Sequence, residues 1–205
     1  MKTKPPPTVG ALLSDNAIAA KLLELSKIYG VKVIWVAEPE KLPLTVQAVV
    51  SSRKEAVKAP PQLRTLYVED YPSIECLLLN LVAGTAPGKP KSSLVVALNL
   101  GRAVGAAYAV DGYIVKTGRY NSLTSFESDC NDIISCIGEG RKIEFYIGYR
   151  PEEIVQELAS RLRKQYPGAK IMFIPDVGGG PEFRELSPDE ASALKIYLKA
   201  VSENI

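Results

Sequence analysis

The hydrophobic pattern of residues 93–205 predicts one ordered series of elements: strand, strand, strand, helix, strand, helix, strand, helix. No other feature restricts the fold of this chain as tightly. Strands joined by tight turns pair antiparallel, whereas strands separated by a helix return parallel. The series therefore predicts a mixed five-stranded α/β sheet flanked by helices.

The individual elements have specific signals. Residues 94–100 (LVVALNL) are nearly all apolar, as a strand buried on both faces requires. Gly101-Arg102 breaks that strand, and residues 104–110 and 113–117 form the next two. Asp111-Gly112 between them is a strong hairpin signal. A helix over 123–137 ends before Gly138, and residues 143–148 (IEFYIG) form the fourth strand. Pro151 suits the first position of an amphipathic helix over 151–166, and Glu152 and Glu153 suit the positive end of its dipole. Residues 170–174 (KIMFI) are the fifth strand. A loop with three consecutive glycines leads to the last helix, over 188–201.

Upstream, residues 1–10 read as a flexible or extended arm, because Pro5-Pro6-Pro7 starts neither a sheet nor a long helix. Residues 11–85 read as a small α/β unit. It holds a helix over 15–29 ended by Gly30, a strand over 31–37 and a strand over 63–68. Residues 44–57 mix strand and helix signals, and residues 73–83 form a very apolar helix. Residues 85–92 (TAPGKPKS) have the composition of a linker. The domains expected are thus 11–85 and 93–205.

Composition removes several chemistries. The chain has no histidine, which excludes Ser-His and Cys-His nucleophile systems and histidine metal ligands. Three cysteines form no CxxC pair, so a zinc site is not expected. Any metal site must use oxygen ligands, which suits Mg or Mn. The net charge is +2 over 205 residues. Residues 92–205 carry 13 Lys+Arg against 15 Asp+Glu, which is not the footprint of a strong nucleic-acid binder. No apolar run reaches the length of a membrane span, and the first residues lack the apolar core of a signal peptide. The expectation is a cytoplasmic protein without a membrane partner.

Four motifs occur in a fixed order. The apolar strand Val95-Val96-Ala97-Leu98-Asn99-Leu100-Gly101 precedes a strand of small residues, Val104-Gly105-Ala106-Ala107-Tyr108-Ala109-Val110. Then come Tyr146-Ile147-Gly148-Tyr149-Arg150-Pro151, Phe173-Ile174-Pro175-Asp176-Val177, and a last helix beginning Asp189-Glu190-Ala191-Ser192-Ala193-Leu194. Over residues 93–205 this order resembles the RuvC-like Holliday-junction resolvase group, and most of all its YqgF-type branch. The resemblance implies a ribonuclease H-like fold and a nuclease site in which carboxylates hold two divalent ions. It also implies that the strand-one aspartate is matched here by Asn99, and that the acidic cluster at the fifth strand is reduced to Asp176.

An asparagine offers one neutral carbonyl oxygen and cannot bridge two cations as a carboxylate does. The resemblance therefore implies a degenerate site of Asn99, Asp176, Asp189 and Glu190. Metal ligands, if the site is active, would be Asp176, Asp189 and Glu144. Each acid also has a simpler reading. Ser187-Pro188-Asp189-Glu190 is a helix start in which Glu190 closes a capping box. Capping outweighs metal binding for Glu190, and the two are balanced for Asp189. Asp176 fits a turn, and Glu144 a solvated strand end. Gly178-Gly179-Gly180 lacks the Gly-Lys-Ser/Thr of a phosphate cradle and reads as a loop. Arg102, Arg150 and Arg184 form an anion-contacting rim if they converge.

Three functions follow as expectations. The first is a degenerate domain that binds branched or structured nucleic acid, or a protein partner, without efficient cleavage. The second is an active Mg- or Mn-dependent nuclease with a rearranged carboxylate set. The third is a non-enzymatic homo-oligomeric scaffold, a dimer for example, suggested by the near-neutral charge and the very apolar helix over 74–83.

Overall fold

The computed structural model describes residues 7–55, 60–84, 93–149, 153–175 and 183–203. The chain divides into two compact units, Met1–Pro87 and Gly88–Ile205.

The first unit is built on a parallel four-stranded sheet. Strand β1 is Thr8–Leu12, helix α1 Asn16–Ile28, β2 Lys32–Trp35, β3 Ala48–Ser51, β4 Arg64–Tyr67 and helix α2 Ile74–Val82. The strand order is β2-β1-β3-β4, with every neighbouring pair parallel. Asp15 caps α1, its carboxylate accepting from the Ala17 and Ile18 amides at 2.9 and 3.2 Å.

Two expectations change here. The arm read over residues 1–10 does not extend to residue 10, because Thr8–Leu12 is an inner strand with four of its five residues buried. The prolines end one residue before it, where Pro7 accepts a bond from the Lys32 amide at 2.9 Å. Residues 1–6 lie outside the described residues. The mixed signal over 44–57 resolves into β3 and a short 3-10 turn, Arg53–Glu55. The apolar helix α2 has Cys76, Leu77, Leu78 and Leu79 buried within the chain, which removes the observation that suggested a dimer face.

The second unit comprises β5 Ser93–Leu100, β6 Val104–Val110, β7 Tyr113–Tyr120, α3 Leu123–Ile137, β8 Lys142–Tyr149, α4 Glu153–Gln165, β9 Lys170–Pro175 and α5 Pro188–Ser202. The sheet order is β7-β6-β5-β8-β9. Strand β6 is antiparallel to both β5 and β7, whereas β5, β8 and β9 run parallel. This is the mixed five-stranded ribonuclease H-like arrangement, with residues 94–100 in its central strand. Asp111 and Gly112 both have positive φ, 52° and 86°, as the tight turn between β6 and β7 requires.

Alternation along β5 divides the core. Val95 and Ala97 share a face with Ala107 and Ala109 of β6, Tyr146 of β8 and Ile174 of β9. Helix α5 packs there through Ala193, Leu194, Ile196, Tyr197 and Ala200. The alanines, with Gly105 and Gly148, make this face shallow enough for α5 to bed closely on the strands. A Cβ on Gly148 would meet Ile196 Cδ1 at 2.6 Å. Leu94, Val96, Leu98, Tyr108 and Phe145 belong to the other face and are all fully buried. Helix α3 covers part of that face, with Phe126 edge-on to Tyr120 at 5.7 Å between ring centroids. Among the described residues no helix is long and apolar enough to cross a membrane.

Candidate functional site

The end of β5 and the start of α5 meet at one point on the sheet. Asn99 lies on the α5 face, two residues beyond Ala97, and is half-buried. Its cross-strand partner on β6 is Gly105, and Gly105 pairs in turn with Arg119 on β7. The row thus runs Asn99, Gly105, Arg119. A β-carbon on Gly105 would lie 2.0 Å from the Asp189 carbonyl oxygen and 3.0 Å from the Glu190 amide nitrogen. The first turn of α5 therefore sits directly on the bare backbone of β6, with Asn99 on one side and Arg119 on the other.

The Asp189 carboxylate is bonded to one of these neighbours. Arg119 Nε donates to Asp189 Oδ2 at 3.1 Å. Asp189 Oδ1 and Asn99 Nδ2 lie 3.2 and 3.6 Å from the point where a Gly101 side chain would begin. Arg119 is further held by Asn121, whose Oδ1 accepts at 3.4 Å. The strand places Thr117 on the same face as Arg119, and its hydroxyl donates to Glu190 Oε1 at 3.0 Å.

Glu190 closes the capping box read from the sequence. Its Oε2 accepts from the Ser187 hydroxyl at 2.6 Å and the Ser187 amide at 3.1 Å, and its own amide donates to Ser187 Oγ at 3.4 Å. Burial pushes the Glu190 carboxyl upward. The Ser187 and Thr117 donors and the nearby Arg119 charge outweigh that and hold it below its ordinary range.

These residues do not fit a pair of divalent ions. Asn99 supplies no negative charge, Asp189 is neutralised by a guanidinium, and both Glu190 oxygens already accept bonds. Among the described residues no group of three or more His, Cys, Asp or Glu is placed to hold a metal ion.

The expected site residues separate accordingly. Asn99, Asp189 and Glu190 come together. Glu144 does not join them: it pairs with Val95, four residues before Asn99, which is about 13 Å along the strand. Parallel pairing of β5 and β8 puts the start of one beside the start of the other, so Glu144 belongs to the opposite end of the sheet. There its Oε2 accepts from the Tyr146 hydroxyl at 2.8 Å. Arg102 follows β5 beside Gly101, and Arg184 precedes α5; both are exposed. Asp176, Arg150 and Gly178-Gly179-Gly180 lie outside the described residues.

Arg119, Thr117 and Gly105 were not among the expected site residues. The third strand, predicted over 113–117, continues to Tyr120 because its pairing with β6 runs through Gly118 and Arg119. Extending the period-two pattern of that strand by two residues puts Arg119 on the face of Thr117, which is the signal that finds it.

No family model and no curated protein matches the chain. Among solved structures it is similar to the crystal structure of Marinitoga piezophila Argonaute in complex with a 5′-OH guide RNA. The match has a TM-score of 0.32 and 11% sequence identity, and covers 88% of this chain and 42% of that one. The chain thus corresponds to less than half of the Argonaute's length, and a likeness at this level carries no assignment of function.

Proposed function

We propose that residues 93–205 form a degenerate RuvC-like domain, of the YqgF-type branch, that binds structured nucleic acid without efficient cleavage. The observation that carries this reading is the pairing of Asp189 with Arg119 beside an uncharged Asn99. A phosphodiesterase of this fold works by placing two cations between carboxylates to activate water and stabilise the leaving oxygen. Here the Asp189 carboxylate already has its cation, and that cation is a side chain. The order of the sequence motifs supports the family, and the ribonuclease H-like sheet agrees with it. Arg102 and Arg184, together with Arg150, are the proposed phosphate contacts.

The alternative of a rearranged active site loses Glu144 to the far end of the sheet. The alternative of a homodimeric scaffold loses the apolar face of α2, which is buried. A protein partner in place of nucleic acid is distinguished by experiment. Fluorescence anisotropy with branched DNA and branched RNA at low salt is expected to show binding that weakens as salt rises. Incubation of the same substrates with Mg²⁺ or Mn²⁺ is expected to leave them intact. Robust cutting that Asp176→Ala abolishes would end the non-cleaving reading. No binding at low salt would end the nucleic-acid reading and leave a protein partner.

A further inference from the structure

We infer that Arg119 is the resident counter-charge of this site, and that it excludes a divalent cation independently of the change that put Asn99 on β5. The inference rests on the reading of the domain as a degenerate nuclease, but concerns only what the site binds.

The argument is one of charge and lone pairs. In the row Asn99, Gly105, Arg119 the middle residue has no side chain, so Arg119 reaches the helix start without obstruction. The Asp189 side chain is 20% exposed and that of Arg119 48%, so the carboxylate is the more buried partner and needs compensation. The guanidinium supplies it through Nε at 3.1 Å. A divalent ion placed against the same carboxylate would sit beside a fixed positive charge, which opposes its binding through either oxygen. Asn99, Asp189 and Arg119 together carry no net charge, whereas a two-metal site needs an excess of negative charge. Glu190 does not restore that excess, because its oxygens are used by Ser187 and Thr117.

Two independent barriers therefore stand against metal: a missing carboxylate on β5 and a cation supplied by β7. Restoring the carboxylate alone leaves the second barrier in place. With Asn99→Asp the two carboxylates and the one guanidinium would carry a net charge of −1, so Arg119 would still offset half of the negative charge offered to a cation.

Mn²⁺ binding to the full chain, followed by the loss of the free-ion electron paramagnetic resonance signal, tests this. Wild type and Asn99→Asp are expected to bind Mn²⁺ only weakly. Asn99→Asp combined with Arg119→Gln is expected to bind at least about tenfold more tightly than Asn99→Asp alone. Arg119→Leu takes the place of Arg119→Gln if circular dichroism shows that the latter does not fold. Equal Mn²⁺ affinity of Asn99→Asp with and without Arg119 would overturn the inference, as would a folded double variant that binds no better than wild type. Neither result involves nucleic acid, so the binding and cleavage measurements on the wild-type chain stand or fall separately.

Discussion

Gly105 and Asp189 touch where no side chain would fit: the Asp189 carbonyl oxygen occupies the space 2.0 Å from an ideal Gly105 β-carbon. Everything at this end of the sheet follows from that approach. It brings the α5 N-terminus down onto β6, sets the Asp189 carboxylate between Asn99 and Arg119, and lets Thr117 reach Glu190.

Gly105→Ala is expected to destabilise the domain by about 1–3 kcal/mol, since the obstacle is backbone of a packed helix and cannot rotate away. Gly168→Ala is the control. Nothing lies within 4 Å of its would-be β-carbon, and the change should fall within about 0.5 kcal/mol of neutral. Urea unfolding followed by far-ultraviolet circular dichroism measures both. A Gly105→Ala midpoint equal to that of Gly168→Ala would show that α5 does not rest on β6 as described.

The pair Arg119 and Asp189 should show a measurable coupling. A double-mutant cycle with Arg119→Gln and Asp189→Asn is expected to give about 0.5–1 kcal/mol, at the upper end for a half-exposed pair because the carboxylate is mostly covered. The coupling should shrink in 1 M salt, where charges are screened over about 3 Å. Additive single effects at low salt would show that the two side chains do not act as a pair.

The fold of the second unit and part of the candidate site are legible in the sequence, and the division has physical causes. Apolar runs and turn residues mark β5, β6, the Asp111-Gly112 turn and the Ser187–Glu190 capping box because each is a local constraint. Strand β1 was missed because a five-residue inner strand behind three prolines has too few residues to show a period. Arg119 was missed because Gly118-Arg119 looks like a strand end, and only pairing with β6 extends the strand beyond it. Glu144, a metal ligand only under the active reading, stands at the start of β8; parallel pairing with β5, itself implied by the intervening helix, places it four residues along the strand from Asn99.

Glu190 should give the domain an acid-sensitive contribution to stability. Its carboxyl lies below the ordinary 4.5 in the folded state, so the folded protein prefers the charged form more than the unfolded chain does. That contribution is complete above the unfolded value and is lost as pH falls through the folded one. Glu190→Gln should therefore flatten the decline in stability on acidification below about pH 4.5, and lower stability near neutrality by about 0.5–2 kcal/mol through the weakened cap. Thermal melts of both proteins at a series of pH values measure this. A constant difference between them across the acid range would show that the cap does not depend on the Glu190 charge.

Cys130 should report the integrity of the opposite face. It is a free thiol in α3, fully buried, and burial pushes its ionisation well above the ordinary range; nearby Asp129 acts in the same direction. Reaction with iodoacetamide requires the thiolate and access to it, and the folded chain denies both. Around it Tyr108 and Tyr120 share a hydroxyl contact at 3.3 Å, Tyr120 donates to Asp129, and Lys116 pairs with Asp129 at 2.7 Å. This polar cluster ties β6 and β7 to α3. Modification of Cys130, followed by mass spectrometry of its peptide, is expected to be at least about a hundredfold slower in native buffer than in denaturing urea. Asp129→Ala removes the acceptor for both Tyr120 and Lys116, and should speed the reaction by loosening α3 from the sheet. Rapid labelling of native wild-type Cys130, or labelling unchanged by Asp129→Ala, would contradict the packing of α3 against β6 and β7 through this cluster.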